Sequence, residues 1–138
     1  MPNVMLDGLP WNLPTVLLSG VLEGFERQIK DAVASVRGLS LGMEAVAVFL
    51  HGNQLVASPE MTRKVVVIIS DLFAEVTGAE ANMIRRTPQL CQELAECLAI
   101  VCDAWVKQHL SPKAWCEVIV RTIDVEQGGY VSKGPPKA

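Results

Sequence analysis

Four cysteines and two histidines are the side chains of this sequence best suited to nucleophilic or metal chemistry, and their spacing argues against both. Cys91, Cys97 and Cys102 fall in the stretch from Thr87 to Leu110, Cys116 follows it, and no C-x-x-C pair occurs. On a helix, Cys91 and Cys102 share a face but stand about 16 Å apart along the axis, while Cys97 points elsewhere. Neither a disulfide nor a shared metal closes over such a separation. His109 lies on the same face as Cys102, about 10 Å along the helix, too far for a thiolate–imidazole pair. His51 comes from another segment and reaches a cysteine only if the fold brings it there. The thiols read as small buried hydrophobes, and a thiol-dependent enzyme is a second alternative rather than the main reading.

The carboxylates say as little. Glu93 with Glu96, and Asp71 with Glu75, have helix-neighbour spacing, but no Glu-x-x-His accompanies them as it does in di-metal bundles. Gly20 and Gly24 form a G-x-x-x-G of the kind that permits close helix approach. Arg85-Arg86-Thr87-Pro88 resembles a basic phosphoacceptor site, too short to carry weight. No catalytic residue, cofactor site or metal site is expected from these patterns.

The elements that hold these side chains read as helices. A hydroxyl at the N-cap followed by Pro at the first helical position marks a helix start, and Ser58-Pro59, Thr87-Pro88 and Ser111-Pro112 supply three such pairs. They predict helices over 59–77, 88–110 and 112–127, ended by Gly78, by the next Ser-Pro and by Gly128-Gly129. Residues 14–36 carry Leu18, Leu22, Phe25, Ile29, Ala32 and Val36 in a continuous apolar seam. A shorter helix is expected over 40–51, and a turn or two over 79–86.

A β reading competes, because Val65-Val66-Val67-Ile68-Ile69 is β-branched throughout and Ala45 to Leu50 could pair with it. Polar residues at helical intervals, namely Glu60, Lys64, Asp71 and Glu75, and again Lys113, Glu117, Arg121 and Asp124, decide for helix. The expected fold is all-α: a single-domain bundle of five or six helices over 14–127, preceded by an extended arm over 1–13 and followed by a flexible tail over 128–138. No internal repeat is evident.

Half of the 138 residues are hydrophobic, and with ten glycines added the apolar share exceeds the roughly 45–50% of ordinary soluble domains. No apolar run approaches the ~20 residues of a membrane helix, and no Lys or Arg precedes Val16-Leu17-Leu18 as in a secretory signal. A cytoplasmic protein is expected. A net charge of −3 without basic clusters speaks against nucleic acid. A helix-turn-helix around Leu110-Ser111-Pro112 is the first alternative, but its second helix pairs Lys113 and Arg121 with Glu117 and Asp124.

The excess of apolar residues points to a covered surface. On a helical wheel Val67 falls between Lys64 and Asp71, Ile100 between Glu96 and Asp103, and Val120 between Glu117 and Asp124, so each polar stripe is breached. With Trp11 on the arm as an aromatic anchor, these four form the expected partner-binding set. The expected function is non-enzymatic: a protein–protein interaction module, such as a regulator, inhibitor or chaperone-like adaptor, that forms a homodimer.

Overall fold

The computed structural model describes residues 2–10, 19–53, 64–78, 80–129 and 131–134. Its centre is a four-stranded sheet in the order β2-β1-β3-β6, built from β1 (Asn3–Pro10), β2 (Ala47–Asn53), β3 (Lys64–Phe73) and β6 (Trp115–Ile123). Strands β4 (Glu75–Thr77) and β5 (Met83–Arg85) form a separate hairpin, and the described residues include two α-helices, α1 (Ser19–Ser35) and α2 (Pro88–His109). The expected all-α bundle is therefore wrong.

β1 and β2 are parallel and joined through α1; β3 and β6 are parallel and joined through α2. The central strands β1 and β3 run antiparallel. The described residues thus follow a β-α-β pattern twice. Residues 3–10, placed by sequence in an arm outside the body, are one of the two central strands. Their Pro and Gly content is compatible with this position: Gly8 adopts φ +96°, and a Cβ there would lie 2.6 Å from the Lys64 carbonyl oxygen of the neighbouring strand.

The helical polar spacing that favoured helices over 59–77 and 112–127 has three unrelated origins. Lys64 pairs across strands with Glu117. Asp71 sits at an irregularity in β3 with φ +58°, a conformation that Asp tolerates better than most residues. Glu75 pairs with Arg85 across the hairpin, 3.3 Å apart. Between them the β-branched run alternates buried and half-buried residues, the period of a strand with one face on the core. Where the sequence expects a helix over 40–51, a short 3-10 turn (Met43–Ala45) leads into β2.

Both helices lie on the same side of the sheet. Val4, Leu6, Val65, Val67 and Ile69 meet Phe25, Ile29 and Val33 of α1 and Leu94, Leu98, Cys102 and Val106 of α2 in one buried core. The start of α2 forms as its sequence dictates, with the Thr87 Oγ1 accepting from the Leu90 N–H at 3.3 Å and Pro88 in the first turn. Ser111 makes a similar contact to the Lys113 N–H at 3.2 Å, but only a turn follows before β6. Helix α2 is wrapped on one side by the sheet, not all round by other helices.

Among the described residues the opposite sheet face carries no helix. Register places Phe49, Met5, Ile68 and Ile119 in one row across all four strands, Phe49 exposed and the other three half-exposed.

Candidate functional site

The polypeptide converges at one end of the sheet. There β1 begins, β3 and β6 end, the segment after α1 turns into β2, and α2 starts. Pro2 heads β1 and is buried, its carbonyl accepting from the Ala47 N–H at 3.1 Å. Beside it the Asn3 Nδ2 donates to the Asp71 Oδ2 at 2.8 Å, which ties the start of β1 to the irregular end of β3.

Arg86 occupies the same end. Only 9% of it is exposed, and its guanidinium donates to the Leu39 carbonyl from Nε (3.2 Å) and Nη2 (2.9 Å) and to the Phe73 carbonyl from Nη1 (2.9 Å). Its backbone N–H donates to the Ala74 carbonyl at 2.7 Å. No carboxylate pairs with it among the described residues. Burial pulls the guanidinium below its ordinary pKa, an effect the nearby Cys91 opposes. A guanidinium has five N–H groups, of which three donate to carbonyls among the described residues.

A cleft of about 780 Å³ opens against Arg86, between the first turns of α2 (Pro88, Cys91, Gln92) and the β6 residues Val118, Val120 and Thr122, with Asp124 and Gly128 at its rim. Cys91 is held above the usual thiol pKa by burial. Cys102 and Cys116 are pushed up to about 12, chiefly by burial. Protonated thiols are poor nucleophiles, which argues against Cys91, Cys102 and Cys116 as catalytic thiols. His109 lies against Trp105 at 4.9 Å between ring centroids, at the far end of α2. No group of three or more metal-ligating side chains is found among the described residues.

The four residues expected to bind a partner scatter. Val67 is fully buried in the core, the reverse of its expected role, because its strand turns it toward the helices. Ile100 is 73% exposed on α2, Val120 is half-buried on β6 beside the cleft, and Trp11 lies outside the described residues. Pro2 and Arg86 were missed. Pro2 falls inside the expected extended arm, and Arg86 inside the stretch that resembles a basic phosphoacceptor site, where nothing local distinguishes it from Arg85.

No protein-family model matches the sequence, and no curated protein matches it. Several solved structures share its fold. One, titled "F6 fused 4-OT wild type asymmetric trimer", superposes with a TM-score of 0.57 at 15% identity, covering 94% of this chain and 90% of that one. A 5-carboxymethyl-2-hydroxymuconate delta-isomerase gives 0.55 at 13% identity, with 97% and 89% covered. A "Q0 fused 4-OT wild type symmetric trimer" gives 0.54 at 17% identity, with 97% and 93% covered.

The fold is therefore the α/β arrangement of these tautomerase and isomerase structures. The expectation of a non-enzymatic regulator or adaptor on a helical bundle is overturned with it: the architecture is one that these chains, named as enzymes, share. No helix among the described residues is long and apolar enough to cross a membrane.

Proposed function

We propose that this protein is a proton-transfer isomerase of the tautomerase type, with the ring nitrogen of Pro2 as its base and Arg86 as the anchor for a substrate carboxylate. The observation that carries the reading is a buried proline in second position, heading a central strand at the sheet end where an uncompensated guanidinium sits. Removal of Met1 converts Pro2 to a secondary amine. A chain-terminal amine titrates near ~8, and burial favours its neutral form, so a usable fraction is unprotonated at neutral pH.

The chemistry is a proton relay. The nitrogen lone pair takes a proton from the carbon beside a carbonyl, the C–H electrons move into an enolate, and the ammonium returns the proton to another carbon or to oxygen. Arg86 fixes the carboxylate and draws electron density toward the anion. Burial holds the thiols of Cys91, Cys102 and Cys116 toward their protonated form, and His109 is at the other end of α2.

The bare apolar row Phe49, Met5, Ile68 and Ile119 supports assembly of several copies through the sheet face, and two of the similar structures are titled as trimers. Homo-oligomerisation through this face replaces the expected helical dimer interface in our reading.

The test begins with intact mass, which should show loss of Met1. Ketonisation of an enol acid, followed by ultraviolet absorbance, should then fall on the order of 10²–10⁴-fold when a short uncleaved extension blocks the Pro2 nitrogen. Retained Met1 in active protein, or full activity with the extension, would defeat the assignment.

A further inference from the structure

Resting on the reading above, we infer that Asp71 sets how strongly the Pro2 nitrogen holds a proton, and that the irregularity in β3 is what brings its carboxylate there. Register pairs Ile69 with Val120 and Leu72 with Thr122, so Ser70 and Asp71 of β3 together face Arg121 of β6. Two residues against one make a bulge, a device that re-aims side chains beside functional sites. Along β3 the core-facing positions are Val65, Val67 and Ile69, and strict alternation would give the next one to Asp71. The extra residue hands that position to Leu72, which is fully buried, and leaves Asp71 turned outward. Asp71 adopts φ +58° in doing so, a left-handed conformation that few side chains other than Asp and Asn enter.

The carboxylate that emerges is held one residue from Pro2. Asn3 pairs with Ser70 in the antiparallel register, which sets Pro2 level with the bulge, and the Asn3 Nδ2 donates to the Asp71 Oδ2 at 2.8 Å. The other charged groups at this end of the sheet are engaged elsewhere. Arg86 donates to the carbonyls of Leu39 and Phe73, Arg85 pairs with Glu75, and Asp124 accepts the Glu126 N–H. Glu44, in the 3-10 turn before β2, folds its carboxylate back over Gly42, where a Cβ would lie 2.5 Å from Oε1. Arg121 is exposed, and among the described residues no ion pair joins it or any other cation to Asp71. A carboxylate without a cation of its own favours the charged form of a nearby amine. When the Pro2 nitrogen takes the substrate's proton, its positive charge therefore forms within the field of Asp71, which makes it the stronger base.

The experiment compares wild type with Asp71→Asn, both full-length, labelled with carbon-13 proline and shown by intact mass to begin at Pro2. Asparagine keeps the size, the tolerance of positive φ and an oxygen for Asn3, and removes only the charge. An NMR titration of the Pro2 ring carbons reads protonation of the nitrogen directly, and kcat/KM for ketonisation against pH reads it in the reaction. Asp71→Asn is expected to lower the titration midpoint by about one pH unit and to move the acid limb of the rate profile down with it. The plateau should fall roughly threefold, because a weaker base takes the proton more slowly. An equal or higher midpoint in Asp71→Asn overturns the inference even where ketonisation proceeds, and reduces Asp71 to the residue that shapes the bulge. A lowered midpoint in protein that ketonises nothing sustains the inference while defeating the proposed reaction.

Discussion

Replacing Arg86 by Met removes a charge that has no acidic partner among the described residues, yet the structure predicts a loss of stability. The Leu39 side chain is fully buried, and its carbonyl oxygen receives both the Nε and Nη2 bonds. Without them an enclosed acceptor is left unmade, which costs about 1–3 kcal/mol, and each bond to a charged donor contributes roughly 1.5–3 kcal/mol when present. Against this stands the relief from desolvating the guanidinium, which burial already disfavours. The two effects leave a net destabilisation of about 2–4 kcal/mol. With a urea dependence of roughly 2 kcal/mol per molar for a chain of this size, the unfolding midpoint should fall by about 1–2 M with little change in slope. Arg86→Lys keeps the charge but reaches fewer carbonyls, so its midpoint should lie between those of Arg86→Met and wild type. An Arg86→Met protein as stable as wild type would mean that the guanidinium is an uncompensated buried cation and not the brace between the segment after α1 and the end of β3.

Further outcomes follow from other parts of the molecule. Gly8→Ala should destabilise by about 1–3 kcal/mol in thermal unfolding, since φ is +96° and the new methyl would meet the Lys64 carbonyl at 2.6 Å; Gly20→Ala, on α1 with open space around it, should be neutral or slightly stabilising. Ile68→Glu places a charge at the centre of the bare apolar row and should shift sedimentation to a smaller species, whereas Ile100→Glu on the outer face of α2 should not; equal sedimentation of Ile68→Glu and wild type removes the case for assembly through the sheet. Cys102 and Cys116 have folded-state pKa values of about 12 against 9.0 for a free thiol, so the protonated form is favoured on folding. Their contribution is complete below pH 9 and is lost as pH rises from about 9 to about 12; a urea midpoint that stays flat across that window in wild type, relative to Cys102→Ala, would contradict it.

Local sequence determined what local interactions can enforce. The apolar seam of α1 and the Thr87-Pro88 start of α2 are legible because caps and 3.6-residue periodicity act within a few residues of chain. The β-branched run Val65 to Ile69 was equally visible, and the polar residues around it were misread because Lys64, Asp71 and Glu75 coincide with a helical period while answering to three separate partners. Only the tertiary structure decided that β1 lies at the centre of a sheet, that a β-α-β pattern occurs twice, and that one sheet face carries no helix among the described residues. The same holds for the site. Nothing near Pro2 or Arg86 in the chain separates a buried proline from a helix breaker, or a buried arginine from its exposed neighbour Arg85. Strand pairing brings Pro2 to the end of β3, and two distant carbonyls draw Arg86 inside, both through contacts between residues far apart in sequence.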